Sequence, residues 1–300
     1  MKAILKSAAG TTKGTINLPV QFEEEIRPDL IKRAVLAVQS HKYQPQGTDI
    51  EAGKKYSSKL SRRRRDYKTS YGYGISRVPR KILSYRGTRF NWQGATSPNT
   101  VGGRQSHPPK SEKIIYRKIN KKERRKAIRS AMAASVQKEL VLKRGHYVEE
   151  YPLVLEDSIE NLKQTKDVLS LLKKLKMEKE LERAAKKTRK TGNARRRGRK
   201  SKRRKGPLFV VSKKCDLVKA ASNIPGVNVV EIESLNAELL APGCEIGRLT
   251  FYTKSAVEKL EKLNLFIDSR VEKKPEEKKT RGKQEIKVEQ KKKQPKVTKK

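Results

Sequence analysis

The chain has 300 residues, with 75 lysines and arginines against 32 aspartates and glutamates, for a formal net charge of +43. Self-repulsion on that scale opposes a compact state unless a polyanion neutralises it, so the composition points to nucleic acid or an anionic membrane surface as partner. A membrane is disfavoured: no apolar run reaches the roughly 18 to 20 residues that cross a bilayer, the basic stretches lack an interfacial apolar face, and residues 1–14 are too polar for a secretory leader.

β-prone pieces around Ile4 and Leu5 and from Ile16 to Val20, separated by a glycine-containing turn at residues 10–14, predict a strand pair at the start. A helix follows. Pro28 suits its first turn, and Ile31, Ala34, Val35 and Val38 fall at i, i+3, i+4 and i+7 on one apolar stripe.

From residue 44 to 110 the periodicity disappears, which predicts a long irregular internal loop. It holds Arg62, Arg63, Arg64, Arg65, Lys68, Arg77, Arg80, Lys81, Arg86, Arg89 and Arg104, interleaved with Tyr56, Tyr67, Tyr71, Tyr73, Tyr85, Phe90 and Trp92. A structureless stretch of this length is rare inside a compact domain and reads as a binding element or as filler. Filler would not carry so many of the chain's aromatics. Arginines fork onto phosphates and stack on unpaired bases, while tyrosines and Trp92 offer flat surfaces to splayed nucleotides.

Beyond the loop, Asn120 and Glu123 form a capping-box-like start, Ile128, Met132, Val136 and Leu140 recur every four residues, and Lys143, Arg144 and Gly145 supply a stop. Packed on the first helix, this one would clamp the loop's ends together and let it extend as a hairpin-like arm of up to about 100 Å.

The C-terminal half alternates strands and helices. Strands are expected at Leu153–Leu155, Leu208–Val211 and residues 227–232 and 249–252. Helices are expected through Val168, Leu171, Leu172 and Leu175, through Leu217, Ala220, Ala221 and Ile224, and from a capping box at Ser255 and Glu258 through Val257, Leu260 and Leu263. This rhythm predicts an α/β fold with a layered, mostly parallel sheet and flanking helices, one domain over residues 1–270 interrupted by the loop at 44–110. Residues 186–205 form a second basic block without an acidic residue. A solvated connector is the bland reading of such a run, but its place between a helix and a core strand favours an anion-binding element. Residues 271–300, rich in Lys, Glu, Gln and Pro, read as a disordered basic tail.

Signs of catalysis are missing. His41, His107 and His146 are far apart, and none has a metal-ligand spacing with Cys215 or Cys244, so no zinc site or other cofactor is expected. The two cysteines, also far apart, exclude a disulfide framework and indicate a reducing compartment. Residues 10–15 lack the Gly-Lys-Ser/Thr order of a phosphate loop, and Tyr71, Gly72, Tyr73 and Gly74 fail the dinucleotide fingerprint. The rival reading, an RNA-processing enzyme, needs a cofactor site in the α/β core. Neither a recognition helix nor a zinc module is present to read duplex DNA, whereas an aromatic, arginine-rich arm suits folded RNA.

The runs YSSKLSRRRRDYKTSYGYGISRVPR (residues 56–80), GGRQSHPPK (102–110), RRRGRKSKRRKGPLFVV (195–211) and LNAELLAPG (235–243) closely resemble the universal large-subunit ribosomal protein four family in its archaeal-type form. The resemblance covers most of the chain from Ala3 to about residue 265. It implies a cytoplasmic, non-enzymatic constituent of the large ribosomal subunit that binds ribosomal RNA early in assembly. Its arm would reach the wall of the peptide exit tunnel, with neighbouring large-subunit proteins and the nascent polypeptide as further partners. Carried onto this sequence, it extends the RNA-binding set to His107, Lys110, Arg195, Arg196, Arg197, Arg199, Lys200, Arg203, Arg204 and Lys205. It puts Val78, Pro79, Arg80, Lys81, Tyr85 and Arg86 nearest the tunnel.

Overall fold

The computed structural model describes residues 1–58, 60, 63–64, 70–87 and 89–267. The expectations for Arg62, Arg65, Tyr67, Lys68 and the tail at 271–300 lie outside the described residues. The chain opens with the antiparallel pair β1 (Lys2–Lys6) and β2 (Thr12–Asn17), joined through Gly10 at φ 84, and continues into α1 (Pro28–Ser40), where Pro28 takes the first turn as expected. Within the long loop lie β3 (Arg80–Arg86) and β4 (Arg89–Gly94). Then come α2 (Lys121–Val136), α3 (Lys138–Lys143), β5 (Leu153–Leu155), α4 (Thr165–Lys174) and α5 (Glu178–Ala185). The second basic block forms β6 (Lys187–Arg189), α6 (Gly192–Arg196) and β7 (Ser201–Arg203). The chain closes with β8 (Leu208–Val211), α7 (Leu217–Ser222), β9 (Asn228–Glu231), α8 (Ala237–Leu240), β10 (Thr250–Thr253) and α9 (Lys254–Lys262).

Six strands make one sheet in the order β2-β1-β5-β10-β8-β9, parallel except for the β1–β2 pair. Strand side chains alternate between faces, and here both faces are covered. Val154, Leu208, Val210 and Tyr252 join a core with α1, α2, α8 and α9, while Leu153, Leu155, Phe209, Val211 and Phe251 join a second core with α4 and α7. Each such side chain, removed from water, contributes roughly 1.5–3 kcal/mol. That burial explains why a chain of this charge has a folded body at all.

Three local expectations are revised. The predicted single helix through Leu140 is two helices, because Gln137 is extended at ψ 114. The Tyr151 hydroxyl donates to the Ser135 carbonyl and so competes for the acceptor that Glu139 N–H would have used. Asn120 does stand at the N-cap of α2, but its side chain makes no capping bond, and Glu123 pairs with Arg33 at 3.3 Å instead. The last helix starts before Ser255: Thr253 is its cap, and its hydroxyl accepts from Ala256 N–H at 3.3 Å.

The fourth revision concerns the loop. Residues 43–79 and 95–120 hold no helix or strand among the described residues, but β3 and β4 form a regular hairpin between them. A β-bulge between Ile82 and Ser84 inserts one residue and shifts the alternation, so the period-two signal breaks half-way along β3.

Candidate nucleic-acid interface

The arm leaves and returns at one place. Helices α1 and α2 pack together, the Ser40 hydroxyl accepts from Arg117 N–H at 2.8 Å, and His41 stacks on Tyr116 with ring centroids 5.5 Å apart. Farther out, Thr48 N–H donates to the Pro109 carbonyl at 3.2 Å, and the Ser58 and Thr96 hydroxyls are 3.3 Å apart. Glycine is required where the legs touch. A Cβ on Gly53 would lie 2.5 Å from the Gly103 carbonyl group, and within the returning leg one on Gly103 would lie 1.9 Å from the Ser97 carbonyl oxygen. The cleft between these legs, about 490 Å³, is lined by Asp49 and Glu112 as well as Lys54, Arg104 and Lys110, a mixed charge rather than a purely cationic one.

The hairpin β3–β4 has two chemically distinct faces. Pairing sets Arg80, Ile82 and Tyr85 beside Gly94, Trp92 and Phe90, while Lys81, Ser84 and Arg86 face Gln93, Asn91 and Arg89. On the first face the rings stack: Tyr85 on Phe90 at 6.0 Å with planes 30° apart, and Phe90 on Trp92 at 5.4 Å and 23°. Arg80 ends the row, its guanidinium carbon 5.4 Å from the Trp92 ring. The second face is polar and cationic. Three of the predicted RNA-binding cations therefore also build the arm: Arg77 lies 4.4 Å over Tyr71, Lys81 4.2 Å over Tyr56, and Arg80 donates to the Ser76 carbonyl at 2.6 Å. Arg63, Arg64, Tyr73, Arg86, Arg89, Arg104, His107 and Lys110 are exposed, and Val78 and Pro79 are half-buried at the hairpin's base.

The second basic block is also a hairpin. β6 and β7 run antiparallel with Lys187 facing Arg203 and Thr188 facing Lys202, and α6 fills the reversal. Arg195, Arg196, Arg197, Arg199, Lys200, Arg203, Arg204 and Lys205 are all exposed on it. Like charges directly opposite in a sheet oppose pairing by up to about 1 kcal/mol, so an anion on this hairpin relieves strain that its sequence creates.

Its root is buried and contains residues that sequence reasoning missed. Glu180, with no side-chain exposure, accepts from Arg183 at 2.7 and 2.8 Å and from Tyr147 N–H at 3.2 Å, and lies 2.8 Å from His146 Nδ1. Arg183 also donates to the Lys205 carbonyl at 2.7 Å. Arg248, almost fully buried, donates to the Gly206 and Leu239 carbonyls at 3.0 and 2.8 Å and to Asn228 Oδ1 at 2.7 Å. Burial lowers the Arg248 pKa to about 9, which leaves it charged at neutral pH. Burial also pushes the His146 imidazole below its ordinary value. Burial acts to raise Glu180, but the hydrogen bonds from Arg183 and His146 outweigh it and hold the carboxyl low. Only the Glu180–Arg183 spacing of three on a helix could have signalled this cluster.

In open α/β sheets, ligands bind outside the carboxyl ends of the strands. Here the donors at the ends of β8 and β10 are taken. Glu160 accepts from Ser212 N–H at 2.9 Å, from the Ser212 hydroxyl at 2.9 Å, from Thr253 at 2.7 Å and from Ser255 at 3.2 Å, and Asp157 accepts from Ser255 N–H at 2.7 Å. Two carboxylates stand where a cofactor phosphate would have to sit, against the rival enzyme reading. Among the described residues no group of His, Cys, Asp and Glu could hold a metal ion, and Cys215 and Cys244 are free thiols.

Residues 16–263 match the family described as "Ribosomal protein L4/L1 family". The chain belongs to that family. It is similar to the protein named "Large ribosomal subunit protein uL4" of Nanoarchaeum equitans, 49% identical over 268 residues, covering 89% of this chain and all of that one. Proteins of the same name from Archaeoglobus fulgidus and Methanosphaera stadtmanae are each 45% identical, covering 87% and 85% of this chain and 98% and 94% of theirs. The chain is thus a ribosomal protein with a structural role, not an enzyme. The family stretch at residues 235–243 has a structural task here. Asn236 caps α8 by accepting from Leu239 N–H at 3.0 Å, and Lys42, next to the arm's root, reaches Glu238 at 2.5 Å.

Proposed function

We propose that this protein is a constituent of the large subunit of the cytoplasmic ribosome. It binds large-subunit ribosomal RNA through the arm at residues 44–110 and through the basic hairpin at 186–205. The α/β body, residues 1–270 without the arm, serves as the base on which neighbouring ribosomal proteins dock, and the tail at 271–300 adds further positive charge. Early in subunit assembly the arm gathers separate RNA segments. In the finished particle the β3–β4 tip, with Val78, Pro79, Arg80, Lys81, Tyr85 and Arg86, borders the exit tunnel and meets the nascent polypeptide.

One observation carries the reading: two exposed cationic hairpins extend from a body whose own strand ends are closed by carboxylates. Such elements suit the sugar-phosphate surfaces and crevices of folded RNA. Filter binding tests it. Large-subunit ribosomal RNA should outcompete bulk duplex DNA at fixed salt, and if about six phosphates are engaged, affinity should fall by about three orders of magnitude between 50 and 200 mM salt. Deleting residues 57–103 should leave the body folded but prevent stable incorporation into subunits. Equal affinity for duplex DNA, or normal subunits without the arm, would refute the proposal.

A further inference from the structure

The ring row on the β3–β4 hairpin is asymmetric. At its inner end, the Arg80 guanidinium covers Trp92 and is itself held by Ser76. At its outer end, Tyr85 stacks on Phe90 and is 69% exposed. The bulge between Ile82 and Ser84 creates this arrangement, because without the inserted residue Tyr85 would fall on the opposite face from Phe90 and Trp92. Gly87, at φ 58, follows, and Arg86 pairs with Arg89 one position beyond the last ring, on the hairpin's other face. Exposed Ile82 and Leu83 flank the row.

We infer that Tyr85 is a stacking platform for a single unpaired RNA base, with Arg86 and Arg89, one position farther along the hairpin and on its other face, drawing the strand to the tip. The inference rests on the RNA-binding reading above and names the ligand of the tip's ring face, leaving the rest of the tip to border the tunnel. Three features favour a nucleobase over a peptide. The rings are already stacked with successive planes 30° and 23° apart, so a flat heterocycle extends the row. The neighbouring charges are all positive, and no acidic residue occurs between residues 67 and 111, so the surroundings suit a phosphodiester. Furthermore, a stack braced at one end by a cation and open at the other resists tilting, which limits the ordering cost when a base is added. A base inside a duplex is stacked on both sides and offers no free face, so the platform discriminates single strands from paired ones.

The test uses the full-length protein and two probes: a 12-nucleotide single-stranded RNA carrying one 2-aminopurine, and a 12-base-pair RNA duplex carrying the same base. The single strand should bind with quenching of the 2-aminopurine emission, while the duplex should bind through charge without added quenching. Tyr85→Ala should remove most of the quenching and weaken single-strand binding about tenfold, in keeping with the loss of one base–ring stack, and should leave duplex binding within about twofold. Tyr85→Phe should behave as the parent. Equal quenching by both probes, or an unchanged response of Tyr85→Ala, would overturn the platform while leaving RNA binding intact. Self-association of the parent abolished by Tyr85→Ala, with no quenching by either RNA, would assign the face to a second copy instead. Failure to bind either RNA would overturn both this inference and the reading beneath it.

Discussion

Replacing Glu180 by alanine should be among the most damaging single changes to the body, although Glu180 touches no predicted RNA contact. The carboxylate is fully buried and is approached by three groups: the Arg183 fork, the Tyr147 N–H and the His146 ring. Removing it leaves the Arg183 guanidinium, whose side chain is 10% exposed, without its counter-charge, and breaking a buried pair in this way costs about 3–5 kcal/mol. For a body of this size that corresponds to a fall in Tm of roughly 6–20 °C. Urea unfolding followed by circular dichroism at pH 7.5 measures it, and Glu180→Gln, which keeps the shape and one acceptor, should fall between parent and alanine variant. Arg183 would also lose its fixed geometry toward the Lys205 carbonyl, so RNA affinity of the folded variant should drop together with stability. A loss within the 0–1 kcal/mol or so of an exposed ion pair would refute the reasoning, because it would mean that water replaces the carboxylate freely.

Acid should destabilise the same cluster. His146 lies below its ordinary value of 6.5 in the folded state, so below that pH the unfolded chain takes up a proton that the folded one does not, and stability present above pH 6.5 is lost as the pH falls. Glu180, held below its ordinary 4.5, adds a loss of the same sign at lower pH. The urea midpoint should therefore be lower at pH 5.5 than at 7.5, and this difference should shrink in His146→Gln; an unchanged difference would place the titration elsewhere. Glu160→Ala removes the acceptor shared by Ser212, Thr253 and Ser255 and should cost about 3 kcal/mol in the same assay, as expected for buried donors left unsatisfied. Gly103→Val should break the tight turn over residues 97–103 in the arm's returning leg without touching the body, leaving Tm unchanged while weakening binding to ribosomal RNA and exposing the arm to limited proteolysis.

Much of the body follows from local patterning. The apolar stripe of α1, the runs Leu153–Leu155 and Leu208–Val211, and the alternation of strands with helices identify an α/β fold before any contact is known, because burial on two faces demands those periods. The cationic arm and the second basic block are likewise visible, since charge density is a property of composition. What escaped the sequence depends on partners distant along the chain. Helix α2 ends where it does because Tyr151 competes for the Ser135 carbonyl, and α9 begins at Thr253 because Glu160 and Asp157 fix that end of the sheet. The tip hairpin was concealed by the one-residue bulge that also aligns its rings. Strand order and the union of His146, Glu180, Arg183 and Arg248 beneath the basic hairpin arise only when segments many residues apart are brought together. Periodicity and charge are written residue by residue, whereas hydrogen-bond competition and burial of an ion pair exist only between elements already packed.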